Sequence, residues 1–401
     1  MALAPLAFFG SEFSGVAQYE MGYVTAGLPI VQSPAPPSPN EVNVAQMGAD
    51  DEMWVPPFAS SAGPFVGGCH MQVTQTTSTP TQYPIQMLES KEKPHFALSL
   101  DDDTLSLHDA ALAVKDTAVG VIAADTWHRI EFYWVRADSP DGEVVVLVDG
   151  VEVLSATGDF YNAGLGSGNA MLGFHGPASG AGNPFTPYID NGYVLGGATD
   201  INDRLGNFEV LHYQHLLDSA TPDAGDDLDS GTWENCFDEN EATEGYFNTQ
   251  GKSGVVTFDT GAKAGPYGDS RLTGNIIAVS YCVRWSANLF ITGNGMGVRY
   301  GVTPNGQPNT DNCTLQDLGT NEATETWYSG CIASGDQFPS VSDYLQLGMQ
   351  VDTPGPFKSV NGRLLMGGAC ILHQIPATGS SLGLERCNAR GTRRGITRGI
   401  F

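Results

Sequence analysis

Trp127-His-Arg-Ile-Glu-Phe-Tyr-Trp134, Glu143-Val-Val-Val-Leu-Val-Asp-Gly-Val-Glu-Val-Leu154 and Tyr188-Ile-Asp-Asn-Gly-Tyr-Val-Leu195 follow one another in this chain. The first alternates apolar and polar residues at the strand period of two. The second reads as strand, Asp149-Gly150 turn, strand, because Asp-Gly readily supplies the positive φ that a two-residue hairpin turn demands. The third closes the set as another strand. Antiparallel strands with this punctuation pack face to face into a rigid module of the kind that binds rather than reacts.

Composition extends that reading to the whole chain. At 401 residues the chain is too long for one ordinary domain, so two are expected. The 50 Gly and 24 Pro suit many short strands joined by turns, and no stretch shows a helical apolar period. The fold class read from the sequence is therefore all-β. Residues 1–215 form one unit, with the Pro-rich loop Val31–Pro39, strands near Phe65–Thr74, Gln82–Leu88, His95–Leu100 and Gly120–Ile122, the three stretches above, and a last strand at Phe208–His212. Such spacing suits a sandwich.

Ten acids and no base lie between Leu216 and Gly245, which marks residues 216–245 as a solvated linker. Residues 246–376 read as a second, smaller β-sandwich. Its best strand is Ile276–Trp285, with Ile277, Val279, Tyr281, Val283 and Trp285 assigned to the core face. Residues 377–401 form a basic C-terminal arm carrying Arg386, Arg390, Arg393, Arg394 and Arg398 against the single acid Glu385.

The net charge of −27 repels phosphate, which argues against nucleic acid or an anionic membrane as partner. The apolar start, Met1–Phe9, lacks a positive n-region, so no signal peptide is expected. No run approaches the length of a membrane span. The seven cysteines include no CxxC pair. One or two disulfides in the second half and buried free thiols both fit that spread.

Catalytic patterns are missing. Hydrolysis of a glycoside needs two carboxylates across the sugar, and no strand carries Glu-x-Asp-x-x-Glu. No Gly-x-Ser-x-Gly elbow occurs, and the eight His are scattered. The expectation is that the chain is not an enzyme and has no catalytic residues. Oxygen ligands suited to Ca²⁺ occur in Asp50-Asp51-Glu52, in Asp101-Asp102-Asp103 and in the loop from Asp190 to Asp203, where Asp190, Asp200 and Asp203 are the candidate ligands. Trp127, Tyr133, Tyr188 and Tyr193 are candidate sugar-stacking aromatics, although alternation points several of them inward.

The Trp-His-x-Ile-Glu-Phe-Tyr and Val-x-Val-x-Val-Asp-Gly strands of Thr126–Leu154 resemble the concanavalin A-like lectin/laminin-G jelly roll. Tyr188-Ile-Asp-Asn-Gly-Tyr-Val-Leu195, followed by Asp203-Arg-Leu-Gly-Asn-Phe-Glu-Val210, is similar to a pattern of tailed-bacteriophage virion structural proteins. The chain departs from that pattern at Gly196-Gly197, where an Asp is usual. The resemblance covers about residues 120 to 350. It implies a structural protein of a phage particle (tail, collar or fibre component, or capsid decoration) located on the virion. Such a protein would be homo-oligomeric and would assemble with other virion proteins through Arg386, Arg390, Arg393, Arg394 and Arg398. Those side chains suit carboxylates because the guanidinium fork pairs bidentately. The alternative is a glycan-binding module recognising a host-surface receptor.

Overall fold

A computed structural model describes residues 3–10, 28–37, 43–55, 63–75, 82–90, 93–101, 103–162, 169–179 and 185–213, with short pieces at 23–24 and 57–59. In the second half it describes 221–222, 245–247, 253–259, 274–288, 297–303, 316–317, 326–329, 333–334, 346–352 and 361–375. All the sheets pair antiparallel.

The described residues between 4 and 213 include the strands β1 (Ala4–Phe9), β2 (Tyr23–Val24), β3 (Ile30–Val31), β4 (Val44–Gln46), β5 (Glu52–Trp54), β6 (Phe58–Ala59), β7 (Phe65–Val73), β8 (Gln82–Ser90), β9 (Lys93–Asp101), β10 (Thr104–His108), β11 (Val114–Val119), β12 (His128–Val135), β13 (Gly142–Val148), β14 (Val151–Gly158), β15 (Asn169–His175), β16 (Pro187–Gly196) and β17 (Phe208–Tyr213). Sheet A has the order β14-β13-β12-β7-β16-β4-β3, with β1 also on β16; sheet B has the order β11-β10-β9-β8-β15-β5-β2, with β6 also on β15. The three quoted stretches become β12, the β13–β14 hairpin and β16, all in sheet A. Asp149 and Gly150 have φ of 52° and 84°, the pair of positive angles that a type I′ turn requires.

The two sheets enclose one apolar core. Trp134 stacks on Phe65 at 4.9 Å, and Phe96 meets Phe132 edge-on at 5.4 Å. The Trp134 indole N–H donates to the Phe160 carbonyl at 3.1 Å, so this fully buried side chain leaves no polar atom unmet. Burying each such ring is worth about 1.5–3 kcal/mol, which is why the aromatic positions dominate the choice of face.

Two readings of the sequence change here. Gly120–Ile122 is not a strand: the chain turns at Gly120 (φ 70°) after β11, whose polar Val-Lys-Asp-Thr-Ala-Val sequence hides an edge strand. The strand at Phe208–Tyr213 does not close the first unit. It pairs with Asn361–Gln374, which also pairs with Asn275–Asn288, in a six-stranded sheet D. The second half adds a five-stranded sheet E. Among the described residues β16 is the last strand of sheets A and B, and β17 belongs to sheet D.

Candidate functional site

Sheet A has two buried faces. Its outer face carries Phe8, Val66, Tyr133, Val145, Leu147, Tyr193 and Leu195, which pack with Phe208, Val210, Ala278, Cys370 and Leu372 of β17 and sheet D. Ile276 and Ala278 are buried and Ile277 packs partly buried against the same cluster, while the side chains of Val279, Tyr281, Val283 and Trp285, which alternation assigned to the core, lie outside the described residues.

Polar groups tie the seam. Glu131 is fully buried, and its Oε1 accepts from the Tyr193 hydroxyl at 3.0 Å and from the Gly206 N–H at 2.9 Å. Its Oε2 takes Arg129 Nε at 3.1 Å, and Arg204 Nε lies at 3.4 Å as an ion pair rather than an aligned hydrogen bond. Arg129 also donates to Asn207. Burial and the Glu131 charge hold the Tyr193 phenol well above its ordinary range. Asn191 sits at φ 41° where β16 slips register against β7, and its side-chain oxygen accepts from the Val210 N–H at 2.8 Å. Glu209 and His373 pair at 3.1 Å, both buried. His70 stacks on Phe208 at 4.8 Å, and burial, helped by the nearby Arg129 charge, lowers its pKa to about 4. This face is an internal joint.

The sequence-derived candidates fall as follows. Tyr133 and Tyr193 belong to the seam; Trp127 is half-buried and donates its indole N–H to the Ala35 carbonyl at 2.7 Å; Tyr188 is half-buried in β16. Asp190 lies buried within β16. Asp200 and Asp203 instead cap the short 3₁₀ turn Ile201–Asp203, where Asp200 accepts from the Asn202 N–H and Asp203 accepts from the Thr199 N–H and hydroxyl. Among the described residues no three His, Cys, Asp or Glu side chains cluster as metal ligands. The five arm arginines lie outside the described residues. Cys69 and Cys370 are buried and not in a disulfide with one another, and burial pushes the Cys69 thiol far above its usual range.

Sheet B offers a different outer face. Trp54 of β5 stands opposite Gly173 of β15, Gly173 opposite Gln86 of β8, Gln86 opposite Ala97 of β9, Ala97 opposite His108 of β10, and His108 opposite Val114 of β11. Residues opposite one another share a face, so these six form a row across the strands. The core residues Phe96, Leu98, Leu107, Leu172 and Phe174 flank them in sequence and point the other way. Small Gly173 and Ala97 alternate along the row with larger Trp54, Gln86 and His108. Glu52 and His175, themselves opposite, lie beside Trp54 and Gly173 on the same face. Trp54, Gln86, Glu52 and His175 are each partly exposed, and Val114 is 57% exposed.

His108 is held on both ring nitrogens. Its Nδ1 faces the Leu112 carbonyl at 3.1 Å, which can only accept, so Nδ1 carries the proton and Nε2 accepts from the Ser99 hydroxyl at 2.7 Å. The partly exposed Tyr83 ring stands edge-on to His108 at 5.1 Å. The partly exposed groups on this face are the Trp54 indole, the Tyr83 phenol, the Gln86 amide, Glu52 and His175, while Ser99 and His108 are buried beneath them and hold one another. Sequence reading missed it because the row joins six strands, and β5, β15 and β8, neighbours in the sheet, are far apart in the chain. Only the period-two pattern of β8 and β9 hinted at a polar outer side.

No protein-family model and no curated protein sequence matches the chain. Solved structures match about half of it. Domain 4 of AbnA, an extracellular arabinanase of Geobacillus stearothermophilus in complex with arabinotriose, is 16% identical, with 50% of this chain and 97% of that one covered and a TM-score of 0.33. An endo-beta-1,4-glucuronan lyase of the fungus Trichoderma reesei is 11% identical over 49% of this chain and 98% of its own, with a TM-score of 0.32. A carbohydrate esterase from the Shiga toxin-encoding bacteriophage phi24B is 12% identical over 49% and 100%, with a TM-score of 0.35.

The expectation that the chain is not an enzyme is corrected here. The matched structures include a glucuronan lyase and a domain of an arabinanase. The missing carboxylate pair speaks against one reaction class only, so it does not support a general exclusion of catalysis.

Proposed function

We propose that the chain is a glycan-binding β-sandwich module of a bacteriophage particle, and that it holds an extended saccharide across the outer face of sheet B. The observation that carries this reading is the set of partly exposed side chains Trp54, Gln86, Glu52, Tyr83 and His175 on the outer face of sheet B, carried by a cross-strand row whose Gly173, Ala97 and His108 are buried. Sugar rings present an apolar face and a rim of hydroxyls, so they suit a surface that alternates aromatic area with groups able to donate and accept. The outer face of sheet A is occupied by the chain's own second domain, which favours sheet B as the ligand-facing side.

Affinity electrophoresis of the full chain through gels containing a panel of soluble polysaccharides tests this. At least one gel retards the chain, and Trp54→Ala and Gln86→Ala each weaken retardation about tenfold, equivalent to about 1.4 kcal/mol. Unretarded migration in every gel, or retardation unchanged in both variants, overturns the reading.

Placement on a virion is supported by the motif resemblance at Tyr188–Leu195 and Asp203–Val210 and by the basic arm. In this proposal Arg386, Arg390, Arg393, Arg394 and Arg398 engage acidic grooves on neighbouring subunits, and the chain assembles as a homo-oligomer. Deleting residues 377–401 leaves both domains folded and abolishes incorporation into particles. Normal incorporation of the truncated chain refutes the anchoring role.

A further inference from the structure

A cavity of about 370 Å³ opens beside the connection between β12 and β13 and is lined by Arg136, Ala137, Asp138, Ser139, Asp141 and Tyr161, none of them in the sheet B row. Its walls are the connection between β12 and β13 and the segment that follows β14. We propose that this cavity is a second binding site that takes one or two neutral sugar rings.

The walls are set before any ligand arrives. The Asp141 N–H donates to the Asp138 carbonyl at 2.9 Å, and the Phe160 N–H donates to the Ala137 carbonyl at 3.1 Å, so the connection is stitched to the segment beyond β14. Gly142 lets the two approach: a Cβ there would stand 2.5 Å from the Gly158 oxygen and 2.6 Å from the Ala137 oxygen. The Phe160 carbonyl is held from below by the Trp134 indole N–H. Tyr161 is clamped as well. The Arg136 guanidinium carbon lies 4.0 Å over its ring, and the buried His95 ring stacks against it at 6.0 Å. His95 Nδ1 accepts from the Asn162 N–H at 3.0 Å, which fixes the backbone beside Tyr161. Burial, and then the Arg136 charge, lowers the His95 pKa to about 4, so near neutral pH the ring adds no charge to the site. A preformed site loses little conformational entropy on binding.

Charge decides the ligand class. The lining holds one guanidinium and two carboxylates. An anion would face Asp138 and Asp141, and a cation would face Arg136. A sugar hydroxyl both donates and accepts, so neighbouring hydroxyls can donate to the carboxylates while accepting from Arg136 or Ser139. The volume falls at the small end of ligand clefts, which run from about 300 to 1,000 Å³. That size suits one or two rings rather than a polymer.

This site does not depend on the sheet B surface, and the test separates them. Saturation-transfer difference NMR of the full chain with glucose, galactose, mannose, N-acetylglucosamine and their disaccharides gives transfer to at least one sugar. Arg136→Ala and, separately, Asp141→Asn weaken it about tenfold or more, while Trp54→Ala leaves it unchanged. Polysaccharide retardation in gels behaves the opposite way, weakened about tenfold in Trp54→Ala and kept in Arg136→Ala. Asp141→Asn preserves shape, and an unchanged melting temperature confirms that the fold is intact. No transfer to any of these sugars, or equal transfer in the parent, Arg136→Ala and Asp141→Asn chains, overturns the proposal.

Discussion

Replacing Glu131 by Gln tests whether the outer face of sheet A is a permanent joint. The carboxylate meets four groups: the Tyr193 hydroxyl at 3.0 Å, the Gly206 N–H at 2.9 Å, Arg129 Nε at 3.1 Å and Arg204 Nε at 3.4 Å. Gln keeps the volume and its carbonyl can still serve Tyr193 and Gly206. The change therefore isolates the negative charge facing two guanidinium groups. Removing one member of a fully buried ion pair costs about 3–5 kcal/mol. The Arg129 and Arg204 side chains are 18% and 23% exposed, so water reaches them and draws the cost down to about 2–3 kcal/mol. For a domain of this size each kcal/mol moves the midpoint by about 2–4 °C, so the expected drop is about 5–10 °C. Scanning calorimetry of the full chain measures it. A cycle with Tyr193→Phe gives a coupling above about 0.5 kcal/mol, because the two side chains share Oε1. A drop below about 2 °C, or strict additivity in the cycle, refutes the claim that this cluster holds the joint.

Acid weakens the fold through two buried imidazoles. His70 and His95 have folded pKa values of about 4 against an ordinary 6.5, so between those limits the unfolded chain binds more protons than the folded one. Their stabilisation is present above about pH 6.5 and is lost as the pH falls toward 4. Urea midpoints measured from pH 7 to pH 4 show the decline, and His70→Gln flattens it; an equally steep profile in that variant sinks the assignment. Gly192 sits under Phe9, where an added Cβ would lie 2.1 Å from the ring, so Gly192→Ala destabilises by about 1–3 kcal/mol in chemical denaturation through overpacking. A neutral effect would mean that β1 does not press on β16. The buried Cys69 thiol resists Ellman's reagent in the native chain and reacts on denaturation; native reactivity would contradict its burial.

Some of this was legible before any coordinates. Trp127–Trp134, Glu143–Leu154 and Tyr188–Leu195 state their strands in local terms: period-two alternation, β-branched runs and an Asp-Gly pair with positive φ. Those are properties of the backbone and of neighbours in the chain, so the sequence alone determines them, together with the all-β class. The phenolic and carboxylate groups of Tyr193 and Glu131 were visible as residues but not as partners, since 62 positions separate them. Alternation in β12 places Glu131, Tyr133 and Arg129 on one side of the strand. It cannot say whether that side meets water or a second domain. Tertiary structure decided this, and it made an apparently polar face into a sealed joint. It likewise paired Phe208–Tyr213 with Asn361–Gln374 in sheet D, because strand partnership depends on which edge is free rather than on local pattern. The row on sheet B is a further product of topology, gathering residues from distant stretches whose spacing carries no signal, whereas the cavity beside Tyr161 is lined by the β12–β13 connection and that one ring. The sequence of this chain determines its strands and turns, and the long-range register of its sheets decides which of its polar and aromatic groups a ligand can reach.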